Sequence, residues 1–190
     1  MSLYRSEDER LSGEADSDES LMLAYAGGDA GAFERLYRRH KDPLYRYFLR
    51  HLQGTPDMAA ELFQDVWKNL IQARARYRAD APFSAWLYKL AHNRLVDYYR
   101  QARVTEEVPE TLAINESQQP EPTAMRGQQM ERLLGALYRL PLEQREIIVL
   151  REERDLTLEQ IAEIQGVGRE TVKSRLRYAL AKLREVLDAS

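Results

Sequence analysis

Residues 104–127, VTEEVPETLAINESQQPEPTAMRG, constrain this chain more than any other feature. They hold three prolines and five glutamates and show no apolar periodicity. Such a run cannot bury enough apolar surface to repay its ordering, so it reads as a flexible linker. It divides the 190 residues into a block at 20–103 and a block at 128–190, preceded by an acidic tail at 1–19 that is expected to be disordered. Each block is small and must close its core with a few tightly packed elements. Charge follows the same borders: residues 1–20 carry −5, 21–103 carry +6, 104–127 carry −4 and 128–190 are neutral. A basic block set between acidic stretches is the asymmetry of a nucleic-acid binder with solvated linkers.

Both blocks carry helix signals and no period-two alternation, so the expected fold class is all-α, with two small helical domains. Asp29 caps a helix through AGAFERLYRRH, and Pro43 is placed to begin a separate helix, LYRYFLRHL, closed by Gly54. Thr55 and Pro56 start a helix running to Gln72, and Ser84 caps another to about Arg103. In the second block, helical spacing resumes at Gln128 and Leu140-Pro141 separates two helices, the second reaching about Glu153. Thr157 with Gln160 forms a capping box. Gly166 and Gly168 supply a tight turn before a last helix from Arg169 to about Leu187.

Several chemistries are excluded. The chain has no cysteine, which removes disulfides, thiolate metal sites and a cysteine nucleophile. Histidines at 40, 51 and 92 lack metal-ligand spacing, and AGGDAG lacks the Lys-Ser/Thr of a phosphate loop. No catalytic residue, metal or cofactor is expected. No apolar run approaches the ~20 residues of a membrane span, and the acidic N-terminus is not a signal peptide. The default expectation is a cytoplasmic protein with no membrane insertion.

Three helical surfaces remain. Residues 157–180, TLEQIAEIQGVGRETVKSRLRYAL, have the pattern of a helix-turn-helix. With Val172, Leu176, Ala179, Leu180 and Leu183 turned inward, Arg169, Glu170, Lys173, Ser174 and Arg177 project outward, and Thr171, Arg175 and Tyr178 are placed for phosphates. Residues 167–184 hold six bases and one acid. On SAWLYKLAHNRLVDYYRQAR, Tyr88, Lys89, His92, Tyr99, Arg100 and Arg103 share one side, interleaving rings and cations as a single strand requires. The preceding loop adds Tyr77, Arg78, Asp80 and Phe83, while Trp86 is equally suited to the core and Asn93 to a bond within the fold. In TPDMAAELFQDVWKNLIQ, Ala59, Leu62, Phe63, Val66, Trp67 and Leu70 form an apolar face, opposite Asp57, Glu61, Gln64, Asp65, Lys68 and Gln72. This acidic face, inside a basic block, suits a basic protein surface.

In this order the surfaces resemble the bacterial ECF (extracytoplasmic-function) sigma factors of the sigma-70 family. The resemblance spans about residues 20–187 apart from the linker, through GDAGAFERLYRRH, ELFQDVWKNL, YRADAPFSAWLYKLAHNRLVDYYR and LPLEQREIIVLREERDLTLEQIAEIQGVGRETVKSRLRYALAKLRE. It implies a region 2 domain at 20–103 and a region 4 domain at 128–190. Glu61, Gln64, Asp65 and Lys68 would contact the β′ clamp of core RNA polymerase. Tyr77, Arg78, Asp80, Phe83, Trp86, Tyr88, Lys89, His92, Asn93 and Arg100 would capture and melt the promoter −10 element. Arg169, Glu170, Thr171, Lys173, Ser174, Arg175, Arg177 and Tyr178 would read the −35 element. The resemblance further implies contacts with the polymerase β subunit and control by an anti-sigma factor. The chain departs from the family pattern at Ala60, Asp65 and the pair Arg169-Glu170. The rival readings are a helix-turn-helix regulator that binds duplex DNA without polymerase, and an adaptor whose N-terminal helices bind only protein.

Overall fold

A computed structural model describes residues 17–53, 55–104 and 124–188. Among the described residues there are eight α-helices, one 3-10 turn and no strand. The first group is α1 (Asp18–Ala26), α2 (Ala30–His51), α3 (Pro56–Ala73) and α4 (Phe83–Val104), with the 3-10 turn Arg74–Arg76 after α3. The second is α5 (Ala124–Tyr138), α6 (Leu142–Arg154), α7 (Leu158–Gln165) and α8 (Arg169–Asp188). Residues 1–16, most of the expected linker (105–123) and the expected stop at Gly54 lie outside the described residues.

Several helix starts follow local chemistry. Ser17 caps α1 by accepting from the Ser20 amide, and Asp29 caps α2 by accepting from the amides of Gly31 (2.8 Å) and Ala32 (3.2 Å). Between them Gly28 turns the chain at φ +108°, a conformation open to glycine. Thr157 and Gln160 complete their reciprocal capping box on α7.

Four starts differ from expectation. Helix α5 begins at Ala124 rather than Gln128, so residues 124–127 of the expected linker are helical. Pro43 begins no new helix, because α2 runs unbroken from Ala30 to His51. Its ring removes the amide that would bond the Arg39 carbonyl. The helix persists because its buried stripe, Leu36, Leu44, Tyr47, Phe48 and His51, keeps phase on both sides of the proline. Thr55 does not cap α3, since its hydroxyl instead donates back to the Leu52 carbonyl at 2.7 Å. Ser84 lies inside α4, which begins at Phe83. The amides of Ala85 and Trp86 bond to the Pro82 carbonyl, so Pro82 occupies the cap position and has no side-chain acceptor.

The cores are apolar and aromatic. Leu21, Met22, Leu36, Phe48, Leu62, Leu70, Phe83, Leu87 and Leu95 fill the first group; Leu140, Ile147, Leu150, Ile161, Ile164, Val172 and Ala179 fill the second. The groups meet where α2 packs on α6 and α4 packs on α7.

That meeting is polar at its centre. Glu146 of α6 is 1% exposed and accepts from the Tyr47 hydroxyl, from His92 Nδ1 at 2.9 Å and from Gln165 Nε2 at 2.9 Å. Its neighbour Arg145 donates to the carbonyls of His51 (2.9 Å), Leu137 (3.2 Å), Tyr138 (2.6 Å) and Leu140 (3.1 Å). Tyr99 donates to the same His51 carbonyl at 2.7 Å. Arg145 thus satisfies carbonyls at the C-terminal ends of α2 and α5 while Glu146 gathers side-chain donors from both groups, so each buried charge in the seam is paired, as burial of charge requires.

Candidate functional site

The C-terminal helix pair has the geometry its sequence predicts. Gly166 ends α7 in the left-handed region (φ +66°), and α8 begins three residues later at Arg169. Val172, Ala179 and Leu183 are buried and Leu176 is half-buried, but Leu180, expected inward, is 44% exposed. Arg169, Glu170, Thr171, Lys173, Arg177 and Tyr178 are exposed, whereas Ser174 and Arg175 are half-buried. Arg175 Nη1 donates to Gln165 Oε1 at 2.9 Å, and that glutamine also reaches Glu146, so α8 is tied to the seam. The outer cations carry built-in partners: Arg169 pairs with Glu159 and Glu170, and Lys173 lies 3.7 Å from Glu170. A hydrogen bond from its own backbone amide, followed by the Arg169 pairing, holds the Glu159 carboxyl below the usual carboxylate range.

On α3, Glu61, Gln64 and Lys68 are exposed and Asp65 is half-buried. Arg94 of α4 donates from Nε to Asp65 Oδ2 at 2.8 Å and lies 3.7 Å from Glu61. That hydrogen bond holds the Asp65 carboxyl below its ordinary range, with Lys68 adding to the effect from 3.5 Å. The acidic face is therefore partly neutralised from behind. Arg94 carries no local signal, because its partner is 29 residues away.

The strand-reading set splits. Tyr77 (2% exposed), Phe83 (0%) and Tyr88 (1%) lie in the core. Tyr77 packs at 5.0 Å on Trp86 and 6.2 Å on Phe83, and Tyr88 packs at 5.3 Å on Tyr47. Burial and the nearby carboxylates of Glu19, Asp18 and Asp80 push the Tyr77 phenol up to about 12. The sequence-based placement of Tyr88, His92 and Tyr99 on a solvated side is replaced: Tyr88 is core, and the other two stand in the seam. Arg78, Asp80, Lys89, Asn93 and Arg100 are exposed and Trp86 is half-buried. The side chain of Arg103 is outside the described residues. Three of the aromatic members therefore build the platform, and the exposed cations and amide form its outer surface.

Sequence reasoning missed Arg145, Glu146 and Glu19. The pair in LEQREIIVL reads as an interruption of an apolar run, and no local spacing links it to α2. Among the described residues no helix is long and apolar enough to cross a membrane.

Residues 36–105 match the sigma-70 region 2 family and residues 136–185 match sigma-70, region 4. The chain is 32% identical over 174 residues to the ECF RNA polymerase sigma factor SigM of Mycobacterium tuberculosis, covering 90% of this chain and 85% of the relative. It is 33% identical over 186 residues to SigL of the same species, covering 94% and 95%, and 29% identical over 166 residues to the RNA polymerase sigma factor YlaC of Bacillus subtilis, covering 84% and 94%. Among solved structures, CnrH in complex with the cytosolic domain of CnrY superposes with a TM-score of 0.67 at 26% identity, covering 91% of this chain and 98% of that one. RpoE, solved in complex with the anti-sigma factor NepR from Bartonella quintana, superposes with a TM-score of 0.66 at 24% identity, covering 82% and 96%.

Proposed function

Because the chain belongs to the ECF RNA polymerase sigma factors of the sigma-70 family, which bind core RNA polymerase and direct it to promoters, we propose a division of that task between its two helical groups. Residues 20–103 form the region 2 domain and 128–190 the region 4 domain, joined by the acidic stretch at 104–127, whose two ends lie in α4 and α5. Glu61, Gln64 and Lys68, with Asp65 braced by Arg94, meet the β′ clamp. Arg78, Asp80, Lys89, Asn93 and Arg100, on a platform built from Tyr77, Phe83, Trp86 and Tyr88, capture the unpaired −10 strand. The outer face of α8 enters the major groove at the −35 element. No catalysis is assigned to this chain: strand opening draws on binding energy for unpaired bases, at a few kcal/mol per base, and the polymerase performs the chemistry.

The observation that carries this reading is the α7–turn–α8 unit, whose outward face is basic and exposed while its inward face closes a core. Control by an anti-sigma factor is supported by the likeness to CnrH, whose solved complex holds the cytosolic domain of CnrY. A protein that acts on polymerase of the cytoplasm belongs in that compartment.

The test is titration into sigma-free core polymerase, followed by transcription from a pool of genomic fragments of the host. Stable association and new transcripts sharing two spaced upstream elements are expected. Sequence-specific duplex binding without association with core overturns the reading in favour of a conventional regulator.

A further inference from the structure

Helix α4 carries the strand-reading surface, yet its own sequence cannot cap it, because Pro82 offers neither a side-chain acceptor nor an amide. The missing acceptor comes from 64 residues earlier: the Phe83 amide donates to Glu19 Oε1 of α1 at 2.7 Å. A carboxylate at this end also meets the positive pole of the helix dipole. Asp18, the residue before Glu19, anchors the same turn of α1 to α2. It accepts from His40 Nε2 at 2.6 Å and from Arg39 Nη1 at 2.9 Å. Burial alone would raise the Asp18 carboxyl, but these two hydrogen bonds outweigh it and hold it below its ordinary range. His40 in turn packs against the Phe83 ring at 5.1 Å.

From this we infer that Glu19 is a positioning residue for promoter opening: it caps α4 from α1 and fixes the register of the loop 77–82 over the helix. The loop is pinned at one end by buried Tyr77 and at the other by Phe83, and Arg78 and Asp80 project between the pins. Freeing the Phe83 end leaves the exposed residues in place chemically but unaligned with Lys89 and Asn93, nearly two and nearly three turns further on. Geometry lost in this way weakens capture of flipped bases without touching the clamp-binding or duplex-reading helices. The inference rests on the assignment of loop 77–83 and α4 to the −10 element.

The test uses the full chain with core polymerase and a promoter pool whose upstream half is fixed and whose start-proximal element is randomised. Wild-type holoenzyme first selects its preferred element; failure to select any overturns the assignment itself. Glu19→Ala and Glu19→Met, the latter keeping side-chain length, both remove the acceptor, and Glu19→Gln retains it. For the first two we expect open complexes, read by permanganate reactivity, to fall about tenfold on duplex promoter, the scale of a lost hydrogen bond to a charged group. Discrimination among start-proximal elements should flatten, and pre-melting that element should restore most of the loss in complex formation. Core affinity and binding to the isolated upstream duplex should be unchanged, and Glu19→Gln should stay close to wild type. Amide exchange at Phe83 should quicken in Glu19→Met. A folded Glu19→Met chain that opens and discriminates like wild type overturns the inference and leaves the assignment standing. Equal losses in core affinity and duplex binding would also overturn it, since they mark general unfolding.

Discussion

Removing Glu146 is the most informative perturbation of the seam. The carboxylate is fully enclosed and gathers donors from Tyr47 of α2, His92 of α4 and Gln165 of α7, so one side chain joins both helical groups. Burial pushes its carboxyl up, but His92, His51 and Tyr47 more than offset this and leave it below the ordinary 4.5. It is therefore ionised at neutral pH. Glu146→Ala leaves the buried Tyr47 hydroxyl and the half-buried His92 without their acceptor, while Gln165 keeps its bond to the Glu143 carbonyl, and breaking a buried pair in this way costs about 3–5 kcal/mol. For a chain of this size that lowers the midpoint of thermal unfolding by about 10 °C. Glu146→Gln keeps the volume and one acceptor and should cost about 1–3 kcal/mol. Calorimetry at pH 7 and urea unfolding followed by far-UV circular dichroism would measure both. The pH dependence has a defined sign, because the folded value lies below the unfolded one. The stabilisation is fully present above about pH 4.5 and is lost as pH falls through the lower folded value. A Glu146→Ala chain destabilised by less than about 1 kcal/mol would refute the account of a closed, charge-satisfied seam.

Three further outcomes are expected. His51 is buried, its Nδ1 lies 2.7 Å from the Tyr47 carbonyl, and burial lowers it from 6.5 to about 4. The unfolded chain then binds the extra proton between those values, so stability should fall by up to about 3 kcal/mol as pH drops from 6.5 to 4; unfolding of His51→Gln across that window should show a flatter slope. Lys173→Ala and Arg177→Ala should each cost about 1–3 kcal/mol on the cognate upstream duplex and little on unrelated DNA, measured by fluorescence anisotropy; a uniform loss would reassign them to phosphates. Pro43→Ala restores an amide to the interior of α2 and should raise stability by about 2 kcal/mol, the helix-interior penalty less the unfolded-state entropy that proline removes.

What the sequence determined by itself is what short-range physics controls. The Asp29 cap, the Thr157–Gln160 box, the Gly166 turn and the faces of α8, apart from Leu180, Ser174 and Arg175, follow from residues within a few positions of one another, where helical period and turn chemistry act. The resemblance to sigma factors was legible for the same reason, since its motifs lie within single helices. The tertiary structure decided the rest. Pro43 reads locally as a helix start, yet the continuous buried stripe of α2 overrides it. Tyr77, Phe83 and Tyr88 read as strand-stacking rings, but apolar neighbours from α2 and α4 draw them into the core. The links between Glu19 and Phe83, Asp65 and Arg94, and Glu146 and Tyr47 join residues 64, 29 and 99 positions apart. A charged side chain on a helix carries the same local pattern whether water or a distant donor satisfies it. Only packing of the helices selects the partner, because the desolvation that makes such a bond necessary arises when the core closes.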